Sequence, residues 1–429
     1  MAAWRGGAPC RARLHRWRAC RAGCAGLRRL PVSVADDPVI RIAARGDGVT
    51  RSGRHMAGGV TGDVVTPEGA LVPGPHRAAP PCRHFPQCGA CQLQHADDVA
   101  IAGFITERIK HAAEAQGVSP GQIAAPHLSP PRTRRRATLH AAMGGSATIG
   151  FREAASNRIV DMRECHVLHP ALFALVAPLR RLVAQTQKRW AGDITLTLTD
   201  QGVDCGLSNW QLGDLAAIEG LTAFAEQNAL ARITVDQGYG PETQWEPRPL
   251  TVMLGQVAVP FPPGSFLQAT ADGEAALTDA ARTWVAGAGA VADLFAGLGT
   301  FACALAGPRK VLAVEAAREA HLALKAGAAA AGVPVFAMHR DLFRNPLLPD
   351  ELDRFEAIVL DPPRAGAREQ VQHLAASRVP RIVYVSCNPS TWARDAAVLV
   401  AAGYRLEEVR PVGQFRWSTH VELASLFTR

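Results

Sequence analysis

The sequence predicts an α/β fold whose last part is a doubly wound parallel sheet. Three observations lead there. From Asp272 onward, apolar strand-like runs at 291–295, 311–315, 357–361 and 381–385 alternate with helical segments, the pattern of successive βαβ units. The first run opens into Ala296-Gly297-Leu298-Gly299, where glycines allow a tight turn into a helix. The runs also close on polar residues that carry chemistry: Glu315, Asp361 and, two residues past the last run, Cys387. In such sheets ligands bind at the carboxyl ends of the strands.

Upstream the chain divides further. Residues 1–35 hold eight Arg and no acid, without the apolar core of a secretory signal, so 1–37 is expected to be a basic, disordered arm or to precede the true start of translation. Removing those eight from the 46 basic residues leaves 38 to balance 38 acidic ones, so a polyanion partner must be met by a local patch rather than a global field. Arg132, Arg134, Arg135 and Arg136 form the candidate patch for phosphates. Residues 38–80 alternate short β-prone runs with Gly-rich turns, predicting a small β-barrel followed by a Pro/Gly linker. Residues 81–265 read as an α+β region, with a helix over 98–116 and a strand over 194–198. The catalytic region is expected over 266–429.

A 48% apolar, 20% charged composition is that of a soluble globular protein, and no uncharged apolar run reaches the 18 residues that a membrane helix needs. Of ten cysteines, three lie in the arm, Cys82, Cys88 and Cys91 cluster, and Cys165, Cys205, Cys303 and Cys387 are dispersed. Without a signal sequence, metal binding or catalysis explains them better than disulfides. A thiol at one strand tip beside the carboxylate of Asp361 at another can attack an electron-poor heterocycle, although an isolated cysteine is more often a core residue. The glycine loop, with Glu315 about 20 residues on to bridge ribose hydroxyls and Asp341 one βα unit later, fits a nucleotide-bearing cofactor and by itself leaves NAD open.

The longer motifs decide. Asp361-Pro362-Pro363-Arg364-Ala365-Gly366, followed by Ile382-Val383-Tyr384-Val385-Ser386-Cys387-Asn388-Pro389, resembles the signature of the RNA uracil-5-methyltransferase family. A second signature, an acid followed by x-Phe-Pro-x-Ser/Thr-x-His-x-Glu, is similar to Gly413 to Glu422, with Gly413 and Arg416 as departures. Phe266-Leu267-Gln268-Ala269-Thr270 is similar to the family's Phe-x-Gln-x-Asn.

The resemblance implies a Rossmann-like class I methyltransferase domain using S-adenosylmethionine. It further implies that Gln268, Phe295, Thr300, Glu315, Asp341 and Asp361 contact that cofactor or orient the base, with Cys387 as nucleophile and Glu422 as base. Cys82-x5-Cys88-x2-Cys91 with Cys165 is similar to the 4Fe-4S motif of the family's rRNA-modifying branch; zinc is the alternative for four thiolates. The 38–80 module resembles a shortened TRAM domain, an OB-like barrel that binds RNA. The expected protein is a cytoplasmic monomer that methylates carbon 5 of a uridine in RNA, 23S rRNA foremost and tRNA as the alternative, with no membrane contact. A non-catalytic iron–sulfur RNA-binding protein is disfavoured by the presence of both Cys387 and Glu422. Cytosine methylation would call for a second cysteine near Asp361, and amino methylation for an aromatic where Arg364 stands.

Overall fold

The computed structural model describes residues 36–187 and 189–429. The arm expected over 1–37 lies outside the described residues up to Ala35, and Asp37 already begins the first strand. Strands β1 (Asp37–Ile42), β2 (Gly48–Thr50), β3 (His55–Met56), β4 (Val64–Val65) and β5 (Leu71–Val72) form one sheet in the order β3-β2-β1-β4-β5. Its strands are two to six residues long, so turns carry much of its order. Buried Asp63 accepts from the amides of Val60 and Gly74, both at 2.7 Å, and pairs with Arg77.

Next come α1 (Asp98–Glu114), β6 (Gln122–Ile123) and β7 (His127–Leu128). Asp97 caps α1 by accepting from the Ala100 amide at 2.8 Å. The middle sheet is built from β8 (Arg136–Met143), β9 (Ala147–Gly150), β10 (Trp190–Thr199), β11 (Gly202–Ser208), β12 (Leu230–Asp236) and β13 (Pro241–Trp245), in the order β13-β12-β11-β10-β8-β9. Helices α2 (Pro170–Ala174), α3 (Val176–Thr186) and α4 (Leu215–Gln227) pack with its apolar face, where Leu139, Ile194, Leu196 and Ile233 are buried. The opposite face carries Thr138, His140, Asp193, Thr195 and Thr197, as strand alternation requires. A hairpin of β14 (Thr251–Leu254) and β15 (Val257–Pro260) leads into the last sheet.

That sheet contains β16 (Ala290–Leu294), β17 (Lys310–Glu315), β18 (Val335–His339), β19 (Ala357–Leu360), β20 (Arg381–Ser386), β21 (Arg405–Gly413) and β22 (Glu422–Thr428). Between them run α5 (Ala271–Trp284), preceding β16, then α6 (Thr300–Leu305), α7 (Arg318–Ala331), α8 (Pro349–Leu352), α9 (Arg368–Ala376) and α10 (Pro389–Ala401). The order is β18-β17-β16-β19-β20-β22-β21-β6, with β7 also on β21. All pairings are parallel except those of β22, which is antiparallel to both β20 and β21.

Both faces are covered, as a parallel sheet requires. Val291, Val359 and Val383 bury against α5, α6 and α7, while Ala292, Ile358 and Ile382 lie in the core shared with α1, α9 and α10. The chain's earlier segment therefore helps build this domain: α1 closes one face, and β6 and β7 extend the sheet. The structural unit thus does not begin at residue 266.

Candidate active site

The topology gathers the chemistry on one edge. Phe295, Glu315, Asp341, Asp361 and Cys387 all stand at or just past the carboxyl ends of parallel strands. Glu422 reaches the same edge from the other direction. Because β22 is antiparallel to β20, its first residue lies at the end of β20: Ser386 pairs with Leu423, one residue from both Cys387 and Glu422.

On the cofactor side, Glu315 accepts from the Gly297 amide at 2.8 Å and the Ala317 amide at 2.6 Å, tying the glycine loop to β17. Gly299 has φ +91°, and a Cβ there would lie 2.4 Å from the Leu324 side chain, so this turn requires glycine. Thr300 is the first residue of α6. Asp341 accepts from the Phe343 amide at 2.9 Å, and the ring of Phe343 lies 5.3 Å from that of Phe295, itself at φ +63°. Phe343 was not anticipated from sequence; its exposure at this edge marks it. Behind the loop, fully buried Asp293 accepts from the Ala302 amide at 2.8 Å, and its other oxygen has no partner. Burial first, then the charges of Asp361 and Glu315, hold that carboxyl well above the usual range.

On the reaction side four side chains form a continuous chain. Gln268 donates to Asp361 at 3.3 Å; Gln414 donates to Gln268 at 2.8 Å and also to Glu422. Glu422 is only 6% exposed. Burial foremost, then the charge of Asp361, push its carboxyl up to about 8, against the opposing influence of the Gln414 hydrogen bond and Arg136. Burial pushes Asp361 up to about 7. Cys387 is half-buried, and its thiol is pushed up by burial, then by Glu422 and Asp361, with Arg364 opposing. Cys387 directly precedes Asn388, the residue that caps α10 by accepting from the Ser390 amide at 3.1 Å and that donates to the Arg364 carbonyl at 3.2 Å. The positive end of that helix favours a thiolate there.

The two departures in the second signature have structural accounts. A Cβ on Gly413 would lie 2.9 Å from the side-chain ends of both Ile105 and Leu128, so an acid there would have to displace them. Arg416 donates to Asp98 at 2.5 Å and to the Ser129 carbonyl at 3.1 Å, anchoring the loop before Glu422 to α1.

Cys82, Cys88, Cys91 and Cys165 line one cavity together with Phe151 and Met162. No group of three or more His, Cys, Asp or Glu among the described residues is arranged to hold a metal ion. Burial raises all four thiols, neighbouring cysteines raise Cys88, Cys91 and Cys165 further, and Glu164 raises Cys82, so thiolates at this place would need cations among them. The segment that carries Cys82, Cys88 and Cys91 is bonded to the loop before Glu422. Gln92 and Leu93 amides donate to the Trp417 carbonyl at 2.7 and 2.8 Å, and the Thr419 amide donates to Gln92 at 3.2 Å.

The expected arginine patch changes at one position, Arg135. Arg135 turns inward to pair with Glu274 at 2.6 Å, both largely buried. Arg134 stacks between the rings of Phe151 and Phe415, and Arg136 lies 4.4 Å over Phe266. These guanidinium groups have aromatic and carboxylate partners within the chain that the local sequence does not show. Arg134 and Arg136 still line a groove of about 660 Å3, with Arg45, His140, Arg152 and His420. It runs between the small β-module, the middle sheet and the loop before Glu422.

Comparison with known proteins agrees with this edge. The sequence profile of the tRNA (uracil-5-)-methyltransferase family matches residues 249–429. An uncharacterised RNA methyltransferase of Zymomonas mobilis is 48% identical over 393 residues, covering 91% of this chain and 99% of that protein. A 23S rRNA (uracil(1939)-C(5))-methyltransferase of Shewanella frigidimarina is 32% identical over 389 residues, covering 85% of this chain and 84% of its own. Among solved structures, the Pyrococcus abyssi tRNA (uracil-54, C5)-methyltransferase in complex with S-adenosyl-L-homocysteine superposes with a TM-score of 0.70 at 21% identity, over 92% of this chain and 100% of that one; it shares the class I methyltransferase fold. Relatives similar across nearly the whole length, together with a thiol and a carboxyl group meeting at the sheet edge, place this chain in the RNA (uracil-5-)-methyltransferase family.

Proposed function

We propose that the protein transfers the methyl group of S-adenosylmethionine to carbon 5 of a uridine in RNA, 23S rRNA foremost, through a covalent bond between Cys387 and carbon 6 of the base. The observation that carries this reading is the meeting of Cys387 and Glu422 at the ends of adjacent antiparallel strands. Carbon 5 of uracil is a weak nucleophile. Addition of the Cys387 thiolate at carbon 6 breaks the conjugation and gives an enolate whose carbon 5 can accept the methyl group. Glu422 then removes the carbon 5 proton; the released electron pair re-forms the double bond, and the carbon–sulfur bond breaks to return Cys387. Asp361, held by Gln268, would hydrogen-bond the uracil edge, whose donor and acceptor pattern differs from that of cytosine.

S-adenosylmethionine supplies the electrophilic methyl group. Glu315 and Asp341 suit its ribose and adenine, while Phe295, Phe343, Thr300 and the glycine loop frame the space between them. Cys82, Cys88, Cys91 and Cys165 would hold a 4Fe-4S cluster, balancing four buried thiolates beside Arg134. The 660 Å3 groove, bordered by the TRAM-like module through Ala44 and Arg45, suits an RNA segment with one base flipped toward Cys387. The similarity to the Shewanella frigidimarina enzyme favours 23S rRNA over tRNA. Mapping 5-methyluridine in total RNA from a strain lacking this protein tests the assignment. Loss of one 23S rRNA site supports it; an unchanged 23S rRNA with loss of a tRNA site moves the substrate to tRNA.

A further inference from the structure

We infer that Gln414 is a positioning residue for the last step: it fixes which oxygen of Glu422 receives the carbon 5 proton and favours the charged form of that carboxylate. The inference rests on the covalent reading above. Its basis is the polarity of the hydrogen-bond chain, which a backbone group determines. The Thr270 amide can only donate, and it lies 3.4 Å from Gln414 Oε1. Gln414 Nε2 therefore faces the other way, donating to Gln268 Oε1 at 2.8 Å and to Glu422 Oε2. With its Oε1 so engaged, Gln268 presents Nε2 to Asp361 Oδ2 at 3.3 Å.

Two consequences follow for the reacting carboxyl group. Oε2 of Glu422 is committed as an acceptor, so the proton that Glu422 gains sits on Oε1, the oxygen left for the substrate. A donated hydrogen bond also stabilises a carboxylate more than a carboxylic acid, so Gln414 makes the base form accessible at lower pH. The groups facing Glu422 are Asp361 from the end of β19, Cys387 from the end of β20 and Arg136 from β8. Gln414 adds a neutral donor to this set, which selects an oxygen without adding a charge.

The site is built around this side chain. Gln414 is 2% exposed. At Gly273, in the first turn of α5, a Cβ would lie 2.8 Å from Gln414 Cβ and 3.1 Å from its Oε1, so the missing side chain is what admits the amide. The backbone just before it is wedged at Gly413 between Ile105 and Leu128. Thr270, which orients the chain, is itself fixed as the cap of α5, accepting from the Gly273 amide at 3.1 Å.

In the step concerned, Glu422 Oε1 takes the proton from carbon 5. The carbon–hydrogen pair becomes the carbon 5–carbon 6 double bond, and the pair of the carbon 6–sulfur bond leaves with Cys387. Gln414→Met keeps the shape and removes the donor. The test follows a single turnover from pH 6 to 9, using S-adenosylmethionine labelled in its methyl group and total RNA from a strain lacking the protein. Methyl transfer and release of the denaturation-resistant protein–RNA adduct are measured separately.

Gln414→Met is expected to release the adduct roughly 10- to 100-fold more slowly, the range for a lost hydrogen bond to a charged group, and to slow methyl transfer much less, through the loosened Gln268 and Asp361. The pH profile of release should move to higher pH, and adding the substitution to Glu422→Gln should slow release no further. Release at the wild-type rate with an unmoved profile would overturn the role of Gln414 and leave the covalent reading standing. Equal loss of both steps with a lowered melting temperature would also overturn it, because a merely structural part does that. Methylation by Cys387→Ala would remove the covalent reading and this inference with it.

Discussion

Cys387 and Glu422 each lie one residue beyond the paired Ser386 and Leu423, on strands that run in opposite directions. The reversal of β22 in an otherwise parallel sheet is what brings a residue near the chain's end beside a thiol 35 positions earlier. In the proposed reaction the fold would thereby supply both halves of an addition–elimination sequence from strand ends rather than from free loops.

The buried Glu422 carboxyl links stability to pH. Its folded-state pKa, about 8, is raised above the ordinary value of 4.5, so the folded form holds a proton that the unfolded form releases between those two values. Stability from this group is full below about pH 4.5 and is lost as pH rises through about 8; Asp361, pushed up to about 7, acts in the same direction. Thermal melts from pH 6 to 9 should show a falling midpoint for the wild type. Glu422→Gln, which cannot ionise, should fall less steeply and be the more stable protein at pH 9. Parallel pH dependence of the two proteins would contradict the assignment of a protonated Glu422.

The thiol set should be felt at the catalytic loop. Cys88→Ser is expected to abolish iron binding, read as loss of the brown charge-transfer band and of about four irons per chain. Because Gln92 and Leu93 are bonded to Trp417, and Thr419 to Gln92, amide exchange should accelerate over 415–420 in that variant while the glycine loop at 296–299 stays protected. Stoichiometric zinc without iron in the wild type would reject the cluster, and unchanged exchange at 415–420 would reject the coupling.

Arg135→Ala should destabilise the protein by about 3 kcal/mol, since it leaves Glu274 buried without its cation. It should leave the salt dependence of RNA binding unchanged, because Arg135 faces away from the groove-lining arginines. Denaturant titration and filter binding at several salt concentrations measure the two effects. A flattened log–log salt slope would return Arg135 to the phosphate patch.

The strand ends were legible in the sequence because chemistry-bearing residues closed apolar runs, and the motifs around Cys387 and Glu422 were long enough to recognise. What escaped has physical reasons. The two-residue strands β6 and β7 are too short to show a period, so their place beside β21 could not be read. Four arginines in five residues read as one phosphate patch because the partners of Arg135 and Arg136, Glu274 and Phe266, lie 130 or more positions away. Gln414 stood within a quoted signature, yet an amide carries no charge to attract notice, and its partner Gln268 is 146 positions upstream. Its importance depends on a hydrogen-bond direction set by one backbone amide.

The most direct measurement is denaturing electrophoresis of the protein incubated with RNA from a strain lacking it and methyl-labelled S-adenosylmethionine. Glu422→Gln should methylate once and stall as a labelled protein–RNA band, because without proton removal no electron pair is available to expel the cysteine. Cys387→Ala should give neither band nor 5-methyluridine. Near wild-type turnover by Glu422→Gln, or methylated uridine made by Cys387→Ala, would contradict the account.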